Sequence, residues 1–167
     1  KNTSGLLAVA KNDAAHLFLA EQIQAHSFTR EYRAVVYGVV KQDSGIWNVP
    51  LGRSRADRKK IAVNGENPRE AVTNYEVLQR FPRFTYMKFL LETGRTHQIR
   101  VHSAYAGHPV AGDDVYGPKK CISELQGQCL HAKKLGFIHP STREYMEFDS
   151  ELPAYFQKFL LKAEKIT

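Results

Sequence analysis

The sequence predicts an α+β domain: a mainly antiparallel, mixed sheet flanked by helices. Three observations carry this. Strand-dense apolar runs recur along the chain, turn signals join several of them as hairpins, and helical patterns fall at intervals. The regular βαβ alternation of a doubly wound fold is missing, as are GxGxxG and GxxxxGK[ST]. A length of 167 residues predicts one domain, residues 1–167, with enough chain to bury a core. Hydrophobic residues make up 43% and charged residues 25%, which excludes disordered, collagenous and low-complexity classes.

The elements follow in order. Residues 5–10, GLLAVA, read as a buried strand. Asn12 or Asp13 caps a helix running to about His26, with Ala14, Leu17, Phe18 and Ile23 at helical spacing. Residues 31–40, EYRAVVYGVV, have strand composition, and Gly38 within them marks a bulge or a close backbone approach. Residues 41–70 are the most irregular part, with a short strand at 61–63 before the turn signal Asn64-Gly65. Residues 71–80 and 84–92 alternate as strands, paired antiparallel across the turn at 80–83. Gly94 stops the second, and residues 95–106 read as a helix closed by Gly107 with Pro109 beyond. A loop at 110–130 leads to strands at 131–138 and 144–148, joined at Pro140-Ser141-Thr142-Arg143. The last element is a helix from Pro153 to about Lys165, whose stripe Tyr155, Phe156, Phe159, Leu160 and Ala163 should dock on the core.

Lys plus Arg exceeds Asp plus Glu by 24 to 17, a net charge of +7 that points to a polyanionic partner, most often nucleic acid. No apolar stretch approaches the ~20 residues that span a bilayer. Lys1 is not an initiator Met, and neither a signal nor a transit pattern follows it. The expectation is a cytoplasmic protein whose given sequence opens mid-motif, a piece of a longer chain. Cys121 and Cys129 are either a redox pair or half a metal site, or two unrelated reduced thiols.

The densest polar constellation is Gly94-Arg95-Thr96-His97-Gln98-Ile99-Arg100-Val101-His102. A helix start here would attract anions through backbone N–H groups, with the Arg95 fork added. Arg100, on the first helical turns, needs an acidic partner or an anionic ligand; a structural Arg–carboxylate pair serves as well. The histidines 97, 102, 108, 131 and 139 lack metal-ligand spacing and are expected to satisfy hydrogen bonds or face phosphate, with no metal bound. Asp113 and Asp114, between Gly112 and Gly117, are read as a turn in which Asp caps backbone N–H groups, rather than as a Mg²⁺ or proton-sharing pair. The basic run 53–60 is either a solvated loop or a tracker of RNA phosphates, with Tyr32, Tyr37 and Trp47 available for stacking.

The stretch GRTHQIRVHSAYAGHPVAGDDVYG (94–117) closely resembles the signature of RluA-type pseudouridine synthases. REYRAVVYG (30–38), DRKKIAV (57–63), AVTNYEVLQRF (71–81) and LHAKKLGFIHP (130–140) resemble that family's other blocks, in order. KNTSGLLAVAKN (1–12) resembles the tail of its catalytic motif HRLDxxTSG. The resemblance implies isomerisation of uridine to pseudouridine in structured RNA, ribosomal or transfer, by breaking the N1–C1′ bond and rejoining the base through C5, without metal or organic cofactor. It implies a catalytic Asp immediately before Lys1, so that this chain is truncated just after it, lacks the N-terminal part of the fold and is inactive alone. None of Asp13, Asp43, Asp57, Asp113, Asp114 or Asp149 stands at that motif position. Tyr32 matches the tyrosine that stacks on the target base, and its hydroxyl is a candidate for proton transfer at C5. Arg100 matches the arginine that pairs with the catalytic Asp, whose absence would leave Arg100 without its partner. Ile99 lines the base pocket, and Thr3, Ser4 and Gly5 shape the turn presenting the Asp. Arg95, His97, Arg53, Arg55, Arg58, Lys59 and Lys60 are assigned to the RNA backbone. A monomer is expected. The competing readings are a non-catalytic RNA-binding module of the same fold and a basic scaffold that binds no RNA.

Overall fold

The computed structural model describes residues 2–120 and 122–166. The elements are β1 Ser4–Gly5, α1 Asp13–Gln24, β2 Thr29–Tyr37, β3 Ser44–Asn48, β4 Leu51–Arg53, β5 Ile61–Val63, β6 Glu66–Arg69, β7 Val72–Arg80 and β8 Phe84–Leu91. They continue with α2 Gln98–Tyr105, a 3-10 turn at Ser123–Leu125, β9 Leu130–Ile138, β10 Tyr145–Asp149 and α3 Ala154–Ala163. Among the described residues, seven strands form one sheet in the order β1-β9-β2-β8-β7-β3, with β10 also on β9, and β5-β4-β6 form a second, small sheet. All pairings are antiparallel except β1 on β9, so the fold is α+β with a mainly antiparallel sheet. No described helix is long and apolar enough to cross a membrane.

Strand β2 runs through the middle of the large sheet, and its alternation divides the core. Val35 faces a cluster of Phe81, Phe84, Ala111, Leu125 and Cys129, closed by Phe156, Phe159 and Ala163 of α3. Ala34 and Val36 face the other way, onto Met87, Phe89, Val110, Leu130 and Ile99 of α2. The stripe expected on the last helix is therefore its docking face, with Tyr155 and Leu160 at the margin. Cys129 is fully buried there, and burial pushes its thiol up to about 12, so it is inert packing. Cys121 lies outside the described residues.

Four expectations need correction. First, residues 5–10 are not a ladder strand. Only Ser4 and Gly5 pair, with His131 and Ala132, because β10 occupies the same edge of β9 from Lys134 onward. The Leu6 N–H still donates to the Ala132 carbonyl at 3.0 Å, and residues 7–10 continue with alternating exposure outside any described strand, leaving Leu7 and Val9 open. Second, residues 41–70 hold three short strands besides the expected one at 61–63; β3 pairs with the distant β7, whereas β4 pairs with nearby β5 and β6, and runs of three to five residues are too short to show a pattern. Third, of the two readings of Gly38 the bulge is not seen: β2 ends at Tyr37, and Gly38 (φ 77°) makes a close approach instead, its N–H on the Arg83 carbonyl at 2.8 Å and its Cα side against the His108 ring. Fourth, α2 starts at Gln98 rather than Arg95, because His97 takes a left-handed conformation (φ 55°) that no helix continues through. Gly107 (φ 83°) then closes α2, donating its N–H to Ala104.

Candidate active site

A cavity of about 470 Å³ opens on the α2 side of the large sheet. Its wall includes Thr3, Ser4, Gly5, Tyr32, Arg95, His97, Ile99 and Arg100. Residues from three distant segments thus meet at one place, and each has a local reason for its position.

Gly5 lies against β9, with φ 101°, and a Cβ there would fall 2.2 Å from the carbonyl oxygen of Ala132. Only glycine allows this approach, which seats Thr3 and Ser4 on the cavity rim. Gln128 Nε2 donates to Thr3 Oγ1 at 3.0 Å, and Ser4 Oγ bonds His131 Nδ1 and the Tyr155 hydroxyl, each at 2.9 Å. Tyr32 projects from β2 between Phe89 of β8 and Ala132 of β9. Burial raises the pKa of its hydroxyl, partly offset by the charge of Arg30, and the hydroxyl makes no hydrogen bond among the described residues.

Helix α2 is pinned by Gln98. Its Oε1 accepts from Thr93 Oγ1 (2.8 Å) and the Arg95 backbone N–H (3.0 Å), and its Nε2 donates to the Val72 carbonyl (3.0 Å) and Thr73 Oγ1 (2.9 Å). The Arg95 N–H is therefore not available to an anion. One turn on, His102 Nε2 meets the Val49 carbonyl and Nδ1 meets Thr73 Oγ1, each at 2.9 Å. The carbonyl contact requires the proton on Nε2. Burial lowers the pKa of His102, against the smaller effect of that carbonyl, so the ring is neutral.

Arg100 has a carboxylate partner within the chain, correcting the expectation that its partner is missing. Its Nε donates to Asp113 Oδ2 at 2.6 Å and its Nη2 to Oδ1 at 2.8 Å. The side chains are 7% and 0% exposed, so this is a buried, bidentate pair. Asp113 also accepts the N–H groups of Val115 and Tyr116, at 2.9 and 3.0 Å. The capping turn read from Gly112-Asp113-Asp114 is present, but the same carboxylate serves Arg100. Burial would raise the Asp113 pKa, yet the Arg100 and backbone hydrogen bonds outweigh it and hold the carboxyl below its ordinary range. No hydrogen bond among the described residues uses Arg100 Nη1.

Tyr116 links this pair to the small sheet. Its ring lies 5.0 Å from the guanidinium carbon of Arg100, and its hydroxyl accepts the Ile61 N–H at 3.0 Å and bonds His97 Nδ1 at 2.8 Å. Burial, then the nearby Arg100 charge, lower the pKa of His97. His97 lines the cavity, and its surroundings disfavour the charged form of the ring.

The basic run 53–60 lies apart from this cavity. Arg53 and Arg58 line a neighbouring cleft of about 520 Å³ with Arg69 and Arg95. Arg95 borders both spaces. Arg55 and Lys59 are solvent-exposed, and Lys60 stands 3.9 Å from Asp57. The other histidines mostly complete hydrogen bonds: His108 Nδ1 with the Tyr37 carbonyl, and His139 Nδ1 as acceptor for Ser141 and Thr142. Among the described residues, no three His, Cys, Asp or Glu side chains converge on a point. Sequence reasoning missed Asp113 as the Arg100 partner, Tyr116 and Gln128. The Gly-bounded GDDVYG segment was the available signal for the first two.

The family model described as RNA pseudouridylate synthase matches residues 1–105. An uncharacterized RNA pseudouridine synthase of Bacillus subtilis is 52% identical over 153 residues, covering 92% of this chain and 50% of its own. The ribosomal large subunit pseudouridine synthase D of Zymomonas mobilis is 42% identical over 165 residues, covering 94% of this chain and 52% of its own. Among solved structures, human RNA pseudouridylate synthase domain containing 1 superposes with a TM-score of 0.73 at 26% identity, covering 95% of this chain and 74% of its own. The chain spans about half the length of these curated relatives.

Proposed function

This chain belongs to the RNA pseudouridylate synthase family, and on that footing we propose that it forms most of a catalytic domain converting uridine to pseudouridine in structured RNA. The supporting observation is the convergence of Tyr32, Ile99, Arg100 and the Thr3–Gly5 turn on one cavity. The target base stacks on the Tyr32 ring, a contact worth about 1–3 kcal/mol and tolerant of sequence. Ile99, 4% exposed, gives the cavity an apolar wall that disfavours water beside the base.

The catalytic carboxylate, which attacks or deprotonates at the sugar, is the Asp that the motif resemblance puts one position ahead of Lys1. The Thr3–Gly5 turn, seated on β9, aims it at the sugar. Arg100 holds that carboxylate ionised and oriented, since an adjacent Arg lowers an Asp pKa by about 1–3 units. Asp113 fixes Nε and Nη2 of Arg100, so Nη1 is the edge offered to it. After base rotation, the Tyr32 hydroxyl takes part in proton transfer at C5. Arg53, Arg55, Arg58, Lys59, Lys60 and Arg95 carry the RNA backbone. The substrate is large-subunit ribosomal RNA or transfer RNA, met in the cytoplasm by a monomer, with no metal or organic cofactor.

Tritium release from RNA carrying C5-labelled uridine tests this. Residues 1–167 alone should bind RNA without turnover, and a form extended through the preceding Asp should release tritium. Turnover by residues 1–167 alone would overturn the placement of the nucleophile. A longer form that binds RNA but never releases tritium would favour the non-catalytic module.

A further inference from the structure

Arg30 lies on β2 two residues before Tyr32, and so on the same face of the sheet. The β2–β8 register, Glu31 with Leu90 and Tyr32 with Phe89, puts Arg30 opposite Leu91, which lines the Tyr32 cavity. Arg30 is 9% exposed, yet its charge has no acid to meet it. Among the described residues no ion pair involves Arg30 or Arg95. Nη2 donates to the Glu92 carbonyl at 3.0 Å, and buried Nε has no partner among the described residues. Nη1 occupies the space that a side chain at position 94 would need, 2.1 Å from where a Gly94 Cβ would stand. Glycine at 94 therefore makes room for a guanidinium rather than for a turn.

Arg95 is close enough that its charge opposes that of Arg30. Its Nε is spent on the Glu70 carbonyl, and its own guanidinium also lacks a carboxylate. Two guanidinium groups that repel one another, one of them buried with an idle donor, are costly unless an anion sits between them. Their location names the anion. Arg95 borders both the base cavity and the basic cleft holding Arg53, Arg58 and Arg69, and Arg30 lies behind that passage, its Nη1 against Gly94 of the cleft wall. An RNA strand tracked by the cleft must bring a phosphate past this point to deliver a base to Tyr32.

We propose that Arg30 and Arg95 form a phosphate subsite for the backbone phosphate next to the nucleotide whose base enters the Tyr32 cavity. The proposal rests on the uridine reading above. Phosphate oxygens suit two planar forks at once, and Arg30 Nη1, which no hydrogen bond among the described residues uses, is the donor on the Gly94 side.

The test needs no turnover. Isotope-labelled residues 1–167 are titrated with inorganic phosphate, uridine, uridine 3′-monophosphate and uridine 5′-monophosphate, following the Arg30 Nε–Hε resonance. Phosphate and at least one monophosphate should move it, and that monophosphate should bind about ten- to a hundredfold tighter than uridine. Arg30→Met, which replaces an unpaired buried charge by an apolar chain, should erase that preference and leave uridine binding unchanged. Arg30→Lys should restore part of it. An Arg30 resonance unmoved by phosphate and by both monophosphates overturns the subsite. So does an undiminished preference in a folded Arg30→Met variant. If uridine binds and phosphate adds nothing, the subsite falls while the uridine reading survives. If inorganic phosphate moves the resonance but neither uridine nor its monophosphates bind, the subsite stands and the uridine reading fails.

Discussion

The two faces of the large sheet are built from different chemistry. On one, α3 buries Phe156, Phe159 and Ala163 against Val35 and Phe84, an interface of ring and methyl contacts. On the other, α2 is eight residues long and buries Gln98, Arg100, His102 and Ser103 alongside Ile99 and Val101. Burying polar groups is costly unless partners are supplied; Thr73, Thr93, Val49 and Asp113 supply them to Gln98, His102 and Arg100, whereas Ser103 Oγ is buried without one among the described residues. Both faces hold an apolar cluster, but the α2 face adds directed polar contacts, and those of Gln98 and Arg100 set how these two side chains stand at the cavity.

The largest expected effect is on activity. In a form extended through the preceding Asp, Arg100→Ala should lower tritium release by at least about a hundredfold, with RNA affinity little changed. Arg100→Ala also strands the buried Asp113 carboxylate, so affinity is compared only for protein that urea unfolding shows to be folded, where a collapse would assign Arg100 to binding. Next is stability. Asp113→Ala strands a buried guanidinium and should cost about 3–5 kcal/mol in urea unfolding. Phe156→Ala should cost a similar 3–5 kcal/mol by opening a cavity. The two faces then part company. Replacing Arg100 and Asp113 together by Met and Leu should recover most of the stability and none of the activity. If the double variant stays as unstable as Asp113→Ala, the polar face is structural in the same sense as the apolar one.

A smaller effect concerns pH. His97, His102 and His131 all have pKa values lowered from 6.5, in each case first by burial. The native state then resists protonation that the unfolded chain accepts. Stability should be full above about pH 6.5 and fall as pH drops toward the depressed folded values. Asp113 acts in the same direction at lower pH: its contribution is present above the ordinary carboxylate pKa and lost as pH falls through its lower folded value. His102→Gln should flatten the urea midpoint between pH 7 and 5, and an unchanged slope would mean that another group carries it. The smallest effect is at the exposed basic run. Lys59→Ala should weaken RNA binding only slightly and reduce the log–log salt slope by about 0.7 if Lys59 meets a phosphate. Affinity independent of salt would instead favour a basic scaffold that holds no RNA.

Much of the fold is legible locally. The β7–β8 hairpin follows from alternation around Phe81-Pro82-Arg83, and α3 from its stripe, because both are patterns of neighbours in sequence. The motif at 94–102 and Tyr32 likewise stand out, as residue types at recognisable spacing. The missed elements have two causes. Residues 6–10 resemble a strand, but a strand needs an edge, and β10 had taken it. Residues 44–69 look irregular because β3, β4 and β6 are too short to show a pattern, and β3 pairs with the distant β7.

The sequence by itself determined the α+β class, the basic character, the family and the set of polar residues offered to a site. Tertiary structure alone decided which of them share a cavity and with whom each is bonded. It gave Arg100 the carboxylate of Asp113, 13 positions on, placed His97 under Tyr116, and left Arg30 buried without an acid. Pattern reports which face a side chain takes along its own element. Charge pairing depends on distances of a few ångströms between elements, and those exist only once the chain has packed.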